Sequence, residues 1–244
     1  MNLLAFELST EACSVALLVG DELRARHEIA PRRHAELALP WAEALLAEAG
    51  VAKSHLDAIA VGRGPGAFTG VRLGISIVQG IALALGRPAV PVSTLAALAM
   101  RARGLGADAG DVVFAAIDAR MREIYAAAYR FERAAEGALR PIALDPEVVC
   151  PPQDWQPSGD MPGFGVGTGF AAGDGLLQTR LQSRLRAVDA AALPQAADVA
   201  VLARIAFAEG GAVAPEHLEP AYLRNQVALT IAEQQALRDA RQSG

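Results

Sequence analysis

The chain has 244 residues and a formal net charge of -5, from 22 basic and 27 acidic side chains. Its hydrophobic content of 52% builds a sizeable core and excludes global disorder. At about 150 residues per domain the length allows one to two domains. The acidic balance argues against an autonomous nucleic-acid binder, which needs a basic excess to displace counterions.

The basic residues are almost all arginine; Lys53 is the single lysine, so a lysine-based nucleotide site has one candidate. Cys13 and Cys150 stand in apolar surroundings and read as buried free thiols, without a disulfide framework or metal-ligand spacing. The first residues lack a basic leader region, and the charge-free stretch between Arg72 and Arg87 is shorter than the ~20 residues of a membrane span. The expectation is a cytoplasmic protein with no membrane partner.

Leu3–Leu8, Cys13–Val19 and Leu23–Ile29 read as three strands of an antiparallel meander, separated by the turns Ser9-Thr10-Glu11-Ala12 and Gly20-Asp21. A helix follows over Arg33–Ala49, ended by Gly50, with Leu37, Trp41, Leu45 and Ala49 on one face. Pro40 falls inside it and predicts a kink or a late start. Leu56–Val61 is a strand, a glycine-rich loop and a long apolar helix come next, and Ala89–Val92 is another strand. Ser93-Thr94 caps a helix to about Arg103.

Residues 104–111 lose apolar periodicity and predict a boundary, with lobes at 1–105 and 106–244. Val112–Asp118, Glu123–Phe131 and Leu139–Leu144 then repeat a meander, so the second half reads as a duplicate of the first. Five prolines make 145–162 irregular, and Gly163–Gly169 is a strand–turn element. A helix over Asp198–Glu209 takes Asp198 as N-cap. The tail after Ala228 reads as polar and helical or frayed.

Two places could carry chemistry. The loop Gly62-Arg63-Gly64-Pro65-Gly66-Ala67-Phe68-Thr69-Gly70 joins a strand to a helix, where glycines let amides approach an anion and Thr69 can cap the helix. It lacks the Gly-Lys-Ser/Thr of a Walker loop, and a tight structural turn fits it as well. Glu7-Leu8-Ser9-Thr10 at the first turn could position a metal-bound nucleotide phosphate, and an ordinary hydroxyl turn explains it too. Asp118 stands at the equivalent place in the second half.

The four histidines form no His-Glu-x-x-His pattern, which disfavours a zinc hydrolase, and Ser76 lacks a nucleophile elbow. Arg32-Arg33 and Arg120/Arg122 read as solvated surface. In the helix Val71–Leu85 the apolar residues cover well over a third of the circumference, and Ser76, Gly80 and Ala84 form a row of small residues. This predicts a helix covered on two sides: one by its own sheet, the other by a neighbouring helix or a partner protein.

These residues together resemble the TsaB (YeaZ) family of the bacterial machinery that makes threonylcarbamoyladenosine in tRNA. The resemblance rests on Ser9–Leu17, Asp57–Arg72, Val92–Leu98, Ile117–Met121 and Tyr222-Leu223-Arg224. It implies an α/β, two-lobed actin/Hsp70/sugar-kinase fold with a reduced second lobe. It implies a non-catalytic scaffold that binds and activates TsaD, with TsaE joining. ATP and metal would sit on those partner subunits, with none bound by this chain alone, and tRNA would be met only through the complex.

The implied TsaD contact is Leu37, Trp41, Leu45, Ser76, Ile77, Gly80, Ile81 and Ala84, a face that would also let the free protein dimerise. Glu7, Ser9, Thr10, Gly64, Gly66 and Thr69 would be a vestigial phosphate loop. Leu8 stands where the family's turn usually has threonine, and Ala67 replaces a serine. A small magnesium-dependent phosphotransferase using Glu7 and Asp118 is the alternative; a metallopeptidase lacks its zinc motif.

Overall fold

A computed structural model describes residues 1–135 and 137–223. The opening meander forms as its apolar runs and turns predict, with β1 Asn2–Glu7, β2 Ala12–Val19 and β3 Glu22–Ile29. Helix α1 (His34–Ala49) starts without delay, runs through Pro40, and ends on Gly50 in the left-handed region at φ 65°. The proline lies one and a half turns inside the helix and does not shift its start.

β4 (Ala58–Gly62) leads through the glycine loop into α2 (Phe68–Leu85). β5 (Ala89–Val92) then leads into the short α3 (Thr94–Ala99), whose cap Ser93 accepts the Ala96 amide at 3.1 Å. The first sheet has the order β3-β2-β1-β4-β5, with β4 and β5 parallel to β1.

The second half repeats this ladder. β6 (Val112–Arg120), β7 (Glu123–Arg133) and β8 (Leu139–Ala143) form an antiparallel meander, and the short β9 (Val148–Cys150) pairs with β7. β10 (Gly163–Val166) runs parallel to β6. α4 (Ala172–Leu181) and β11 (Leu185–Asp189) follow, and the order β8-β7-β6-β10-β11 matches the first sheet strand for strand. Residues 170–190 carry little periodicity, because Gly173, Asp174 and Gly175 are all left-handed inside the span of α4.

The last described helix, α5 (Ala196–Ala208), is capped by Gln195 and not by Asp198, and the tail after Ala228, read from sequence as helical or frayed, lies outside the described residues. Asp198 instead lies buried in its first turn, where Arg101 and Arg103 both donate to its carboxylate. Burial pushes that carboxyl up, and the two arginines oppose the push.

The layers run α1 and α2, first sheet, α3 and α5, second sheet, α4. The middle core joins Ala5, Ala16 and Val90 of the first sheet to Leu95, Leu98, Val199 and Ala203 of the two helices and to Val113, Ala115 and Ala127 of the second. α5 packs on β1, β2, β4 and β5, so the C-terminal part of the predicted second lobe belongs by its packing to the first sheet. The chain then stays there: Val213 and Ala89 exchange both backbone hydrogen bonds, and the Ala221 amide donates to the Arg63 carbonyl at 2.9 Å. A boundary read from lost periodicity cannot register this return, because it depends on what α5 packs against.

Among the described helices α2 alone is long and apolar enough to cross a membrane. Its Val71, Ile75, Val78 and Ala82 are buried in the outer core with Leu4, Phe6, Val15 and Leu45, while Ser76, Gly80, Leu83 and Ala84 on its other side are exposed. Each large aliphatic side chain so buried stabilises the fold by about 1.5–3 kcal/mol relative to exposure.

Candidate functional site

Between the lobes lies a cleft of about 1080 Å3, lined by the β1–β2 turn, the start of α2, the β6–β7 turn and residues 220–223. Of the predicted loop residues, Ser9, Thr10, Gly66 and Thr69 line it, while Glu7 and Gly64 lie behind its wall.

Glu7 is 1% exposed. Its carboxylate accepts the Ser9 amide at 2.9 Å and the Thr94 hydroxyl at 3.1 Å, and Thr94 in turn accepts the Gly64 amide at 3.1 Å. Burial drives the Glu7 carboxyl above its ordinary value, and these hydrogen bonds oppose that drive. The carboxylate thus ties β1 to the glycine loop and to the start of α3, and does not face the cleft.

The glycines serve the same joint. A Cβ on Gly62 would sit 1.8 Å from Glu7 Oε2, one on Gly66 2.4 Å from the Ser9 carbonyl oxygen, and one on Gly70 2.1 Å from the Leu8 carbonyl oxygen. The loop therefore lies directly on the β1–β2 turn. Its amides are satisfied internally as well: Ala67 donates to Ser9 O at 2.7 Å and Arg63 to Val92 O at 2.8 Å. Thr69 is in the first turn of α2; the cap position is Ala67, without a side-chain cap. The small residues thus permit close backbone packing, the tight-turn reading of the loop.

His34 closes the turn from the other side, with Nε2 2.9 Å from the Thr10 carbonyl oxygen and 3.2 Å from that of Ala12. Two carbonyl partners require Nε2 to carry the proton. Asp118 is half-buried on the cleft wall; it pairs with Arg120 at 3.3 Å, and its amide donates to Thr168 at 3.1 Å. Cys13 is buried and its thiol is pushed up to about 11, whereas Cys150 is only half-buried. Among the described residues no three His, Cys, Asp or Glu side chains gather as metal ligands.

The predicted partner face divides in two. Ser76, Gly80 and Ala84 are exposed on α2, with Leu83 beside them at 60% exposure, and a Cβ on Gly80 would meet nothing within 4 Å. Leu37, Trp41, Ile77 and Ile81 are half-buried against the outer core. Leu45 lies within that core at 2% exposure, because its position on α1 points at β2, and it is not a surface residue.

Sequence reasoning missed the interlobe tie. Ser93 donates to Glu147 across the lobes, Arg63 stands 3.6 Å from the same carboxylate, and Tyr129 OH lies 3.5 Å from Ser93. Burial and the Glu147 charge push the Tyr129 phenol up. The signal was present only as a lone glutamate in a proline-rich stretch.

A doubled 3-2-1-4-5 ladder around a cleft is the actin-like, two-lobed architecture. The family model described as TsaD, tRNA N6-adenosine threonylcarbamoyltransferase, matches residues 26–231. The tRNA threonylcarbamoyladenosine biosynthesis protein TsaB of Escherichia coli is 43% identical over 93% of this chain and 96% of its own length. The TsaB of Haemophilus influenzae is 37% identical over 93% and 95%. The solved structure of YeaZ from Pseudomonas aeruginosa is 45% identical, covers 91% of this chain and 99% of its own, and superposes with a TM-score of 0.77. The chain belongs to the TsaB (YeaZ) family of tRNA threonylcarbamoyladenosine biosynthesis proteins.

Proposed function

We propose that this chain is the non-catalytic subunit that binds TsaD through the outer faces of α1 and α2, and so supports threonylcarbamoyl transfer to the tRNA adenosine beside the anticodon. The observation that carries this reading is the exposed row Ser76–Gly80–Ala84 with Leu83, on a helix whose opposite face is locked into the core. Small residues let a partner helix come close, and neighbouring aliphatic side chains supply apolar area.

The burial of Glu7 beneath the glycine loop supports a non-catalytic role over a phosphotransferase, because the residue placed to hold a metal-bound phosphate serves as an internal joint. On this reading ATP and metal stay on TsaD and TsaE, the free chain dimerises through the same face, and tight tRNA binding needs the assembly. The chain then acts in the cytoplasm.

Gly80→Leu tests it. Overpacking an interface costs about 1–3 kcal/mol, which weakens TsaD capture roughly five- to a hundredfold. Because no atom lies within 4 Å of the added Cβ and leucine is the better helix former by somewhat under ~1 kcal/mol, the melting temperature of the variant alone does not fall. Undiminished co-purification of the variant with TsaD overturns the assignment of this face.

A further inference from the structure

Among the described residues, Arg32 and Arg122 are the two basic side chains with neither an ion pair nor a hydrogen bond; the others are engaged by carboxylates, carbonyls, a phenol or a thioether. They come from opposite lobes: Arg32 lines the interlobe cleft, and Arg122 is the next residue in the chain after the lining residues Arg120 and Met121. Both are also left-handed, Arg32 at φ 69° and Arg122 at φ 62°, as are Arg120 at 63° and Met121 at 54°. Three of the five non-glycine residues with positive φ, Arg32, Arg120 and Met121, thus line this one cleft. Both sites are tight turns that take such φ: Pro31-Arg32 are the centre of the turn closed by the Arg33 amide on the Ala30 carbonyl, and Met121-Arg122 the centre of the two-residue β6–β7 hairpin.

Arg72 adds a ledge to the same mouth. Its guanidinium lies 3.2 Å from the Phe68 ring centroid and donates to the Tyr222 hydroxyl at 2.7 Å, and both rings are more than half exposed. The acids on the wall are Glu11 and Asp118, and Asp118 is already paired with Arg120.

We propose that this cleft mouth is a direct RNA contact, in which Arg32 and Arg122 meet phosphates from the two banks and the Phe68–Arg72–Tyr222 ledge stacks an unpaired base. Cations spaced along a groove with exposed aromatic faces are what single-stranded RNA requires. A free nucleotide would need the glycine-loop amides, and those of Arg63, Gly64 and Ala67 are already bonded within the protein. The contact is independent of TsaD capture, and the net charge of -5 keeps it weak in the isolated chain.

The test is fluorescence anisotropy of the full-length chain with a labelled unmodified tRNA transcript. At low salt the expected dissociation constant falls in the non-specific range of about 10⁻⁶–10⁻⁴ M. The double variant Arg32→Ala/Arg122→Ala weakens binding roughly tenfold, and flattens the log–log salt slope by about 1.4, near 0.7 for each single-strand phosphate contact. Arg24→Ala/Arg133→Ala, away from the cleft, leaves both unchanged. Arg122→Gly raises the melting temperature by relieving the left-handed backbone and still loses RNA affinity.

Absence of binding by the wild-type chain overturns the proposal. So does an unaffected double variant, or displacement of tRNA by equimolar ATP. A double variant that keeps tRNA and loses TsaD overturns it too, and makes Arg32 and Arg122 a protein contact instead. A wild-type chain that binds tRNA and fails to retain TsaD breaks the subunit reading alone.

Discussion

Each lobe ends its first strand near a carboxylate, and the two lobes treat it in opposite ways. Glu7 at the end of β1 is 1% exposed and holds three segments together. Asp118, near the end of β6, keeps 31% of its side chain exposed on the cleft wall. The strands do not explain the difference, since β1 and β6 occupy the same place in the same ladder.

The loop laid over each strand does. In the first lobe Gly62, Gly66 and Gly70 bring the loop down on Glu7, Leu8 and Ser9, so the acid is sealed. In the second, a Cβ on Gly167 would fall 2.2 Å from the Ala116 carbonyl oxygen, and one on Gly169 2.6 Å from the Ala116 Cβ. That loop closes two residues earlier and leaves Asp118 open. Where the glycines land decides whether a carboxylate becomes a joint or part of a wall.

The comparison breaks most severely at Gly70. Alanine there gains about 1 kcal/mol of helix propensity, but its Cβ would press to 2.1 Å on the Leu8 carbonyl oxygen. Backbone cannot yield as a side chain can, so the clash wins, with a net loss of at least about 3 kcal/mol. Thermal melting should fall by roughly 6–12 °C for a chain of this size. A melting temperature held within about 2 °C would show that the loop does not rest on the turn.

Glu7→Ala comes second. It leaves the Ser9 amide and Thr94 hydroxyl without their acceptor, at about 1–3 kcal/mol. Its pH dependence is the sharper readout. Burial raises the folded value above the ordinary 4.5. The contribution of this group is therefore fully present below pH 4.5 and is lost as pH rises through the folded value. Relative to Glu7→Gln, which does not titrate, the wild-type chain should be most favoured in acid and lose ground as pH rises. A stability difference that stays flat with pH contradicts the buried carboxyl.

Asp118→Asn is the smallest. The group is partly solvated and its pairing with Arg120 is a surface one, so stability should move by no more than about 0.5 kcal/mol. A loss as large as that of Glu7→Ala would mean the two lobes use their acids alike.

Much of this was legible in the chain. The apolar runs Leu3–Leu8, Cys13–Val19 and Val112–Asp118 carry the central strands, because a strand covered on both faces reads as a continuous apolar run, while Leu23–Ile29 and Glu123–Phe131 alternate. Gly50 and Ser93 mark helix ends through their own local chemistry. The helix Ala196–Ala208 was legible, but its cap was not: Asp198 has the composition of an N-cap and is taken instead by Arg101 and Arg103, nearly a hundred residues away. Leu45 has the helical spacing of Leu37 and Trp41, and only the packing of α1 on β2 separates the buried residue from the half-buried ones.

By itself, then, the order of residues determined most of the strands and helices outside 145–190, that the three-strand meander occurs twice, and which loops are built from glycine. These follow from periodicity and backbone freedom, which act over a few neighbouring residues. Only the tertiary structure decided that Glu7 is sealed and Asp118 open, that α5 returns to the first sheet, and that Arg32, Arg72 and Arg120 line one cleft. Burial and charge pairing depend on which distant segments are pressed together, and no local pattern records that.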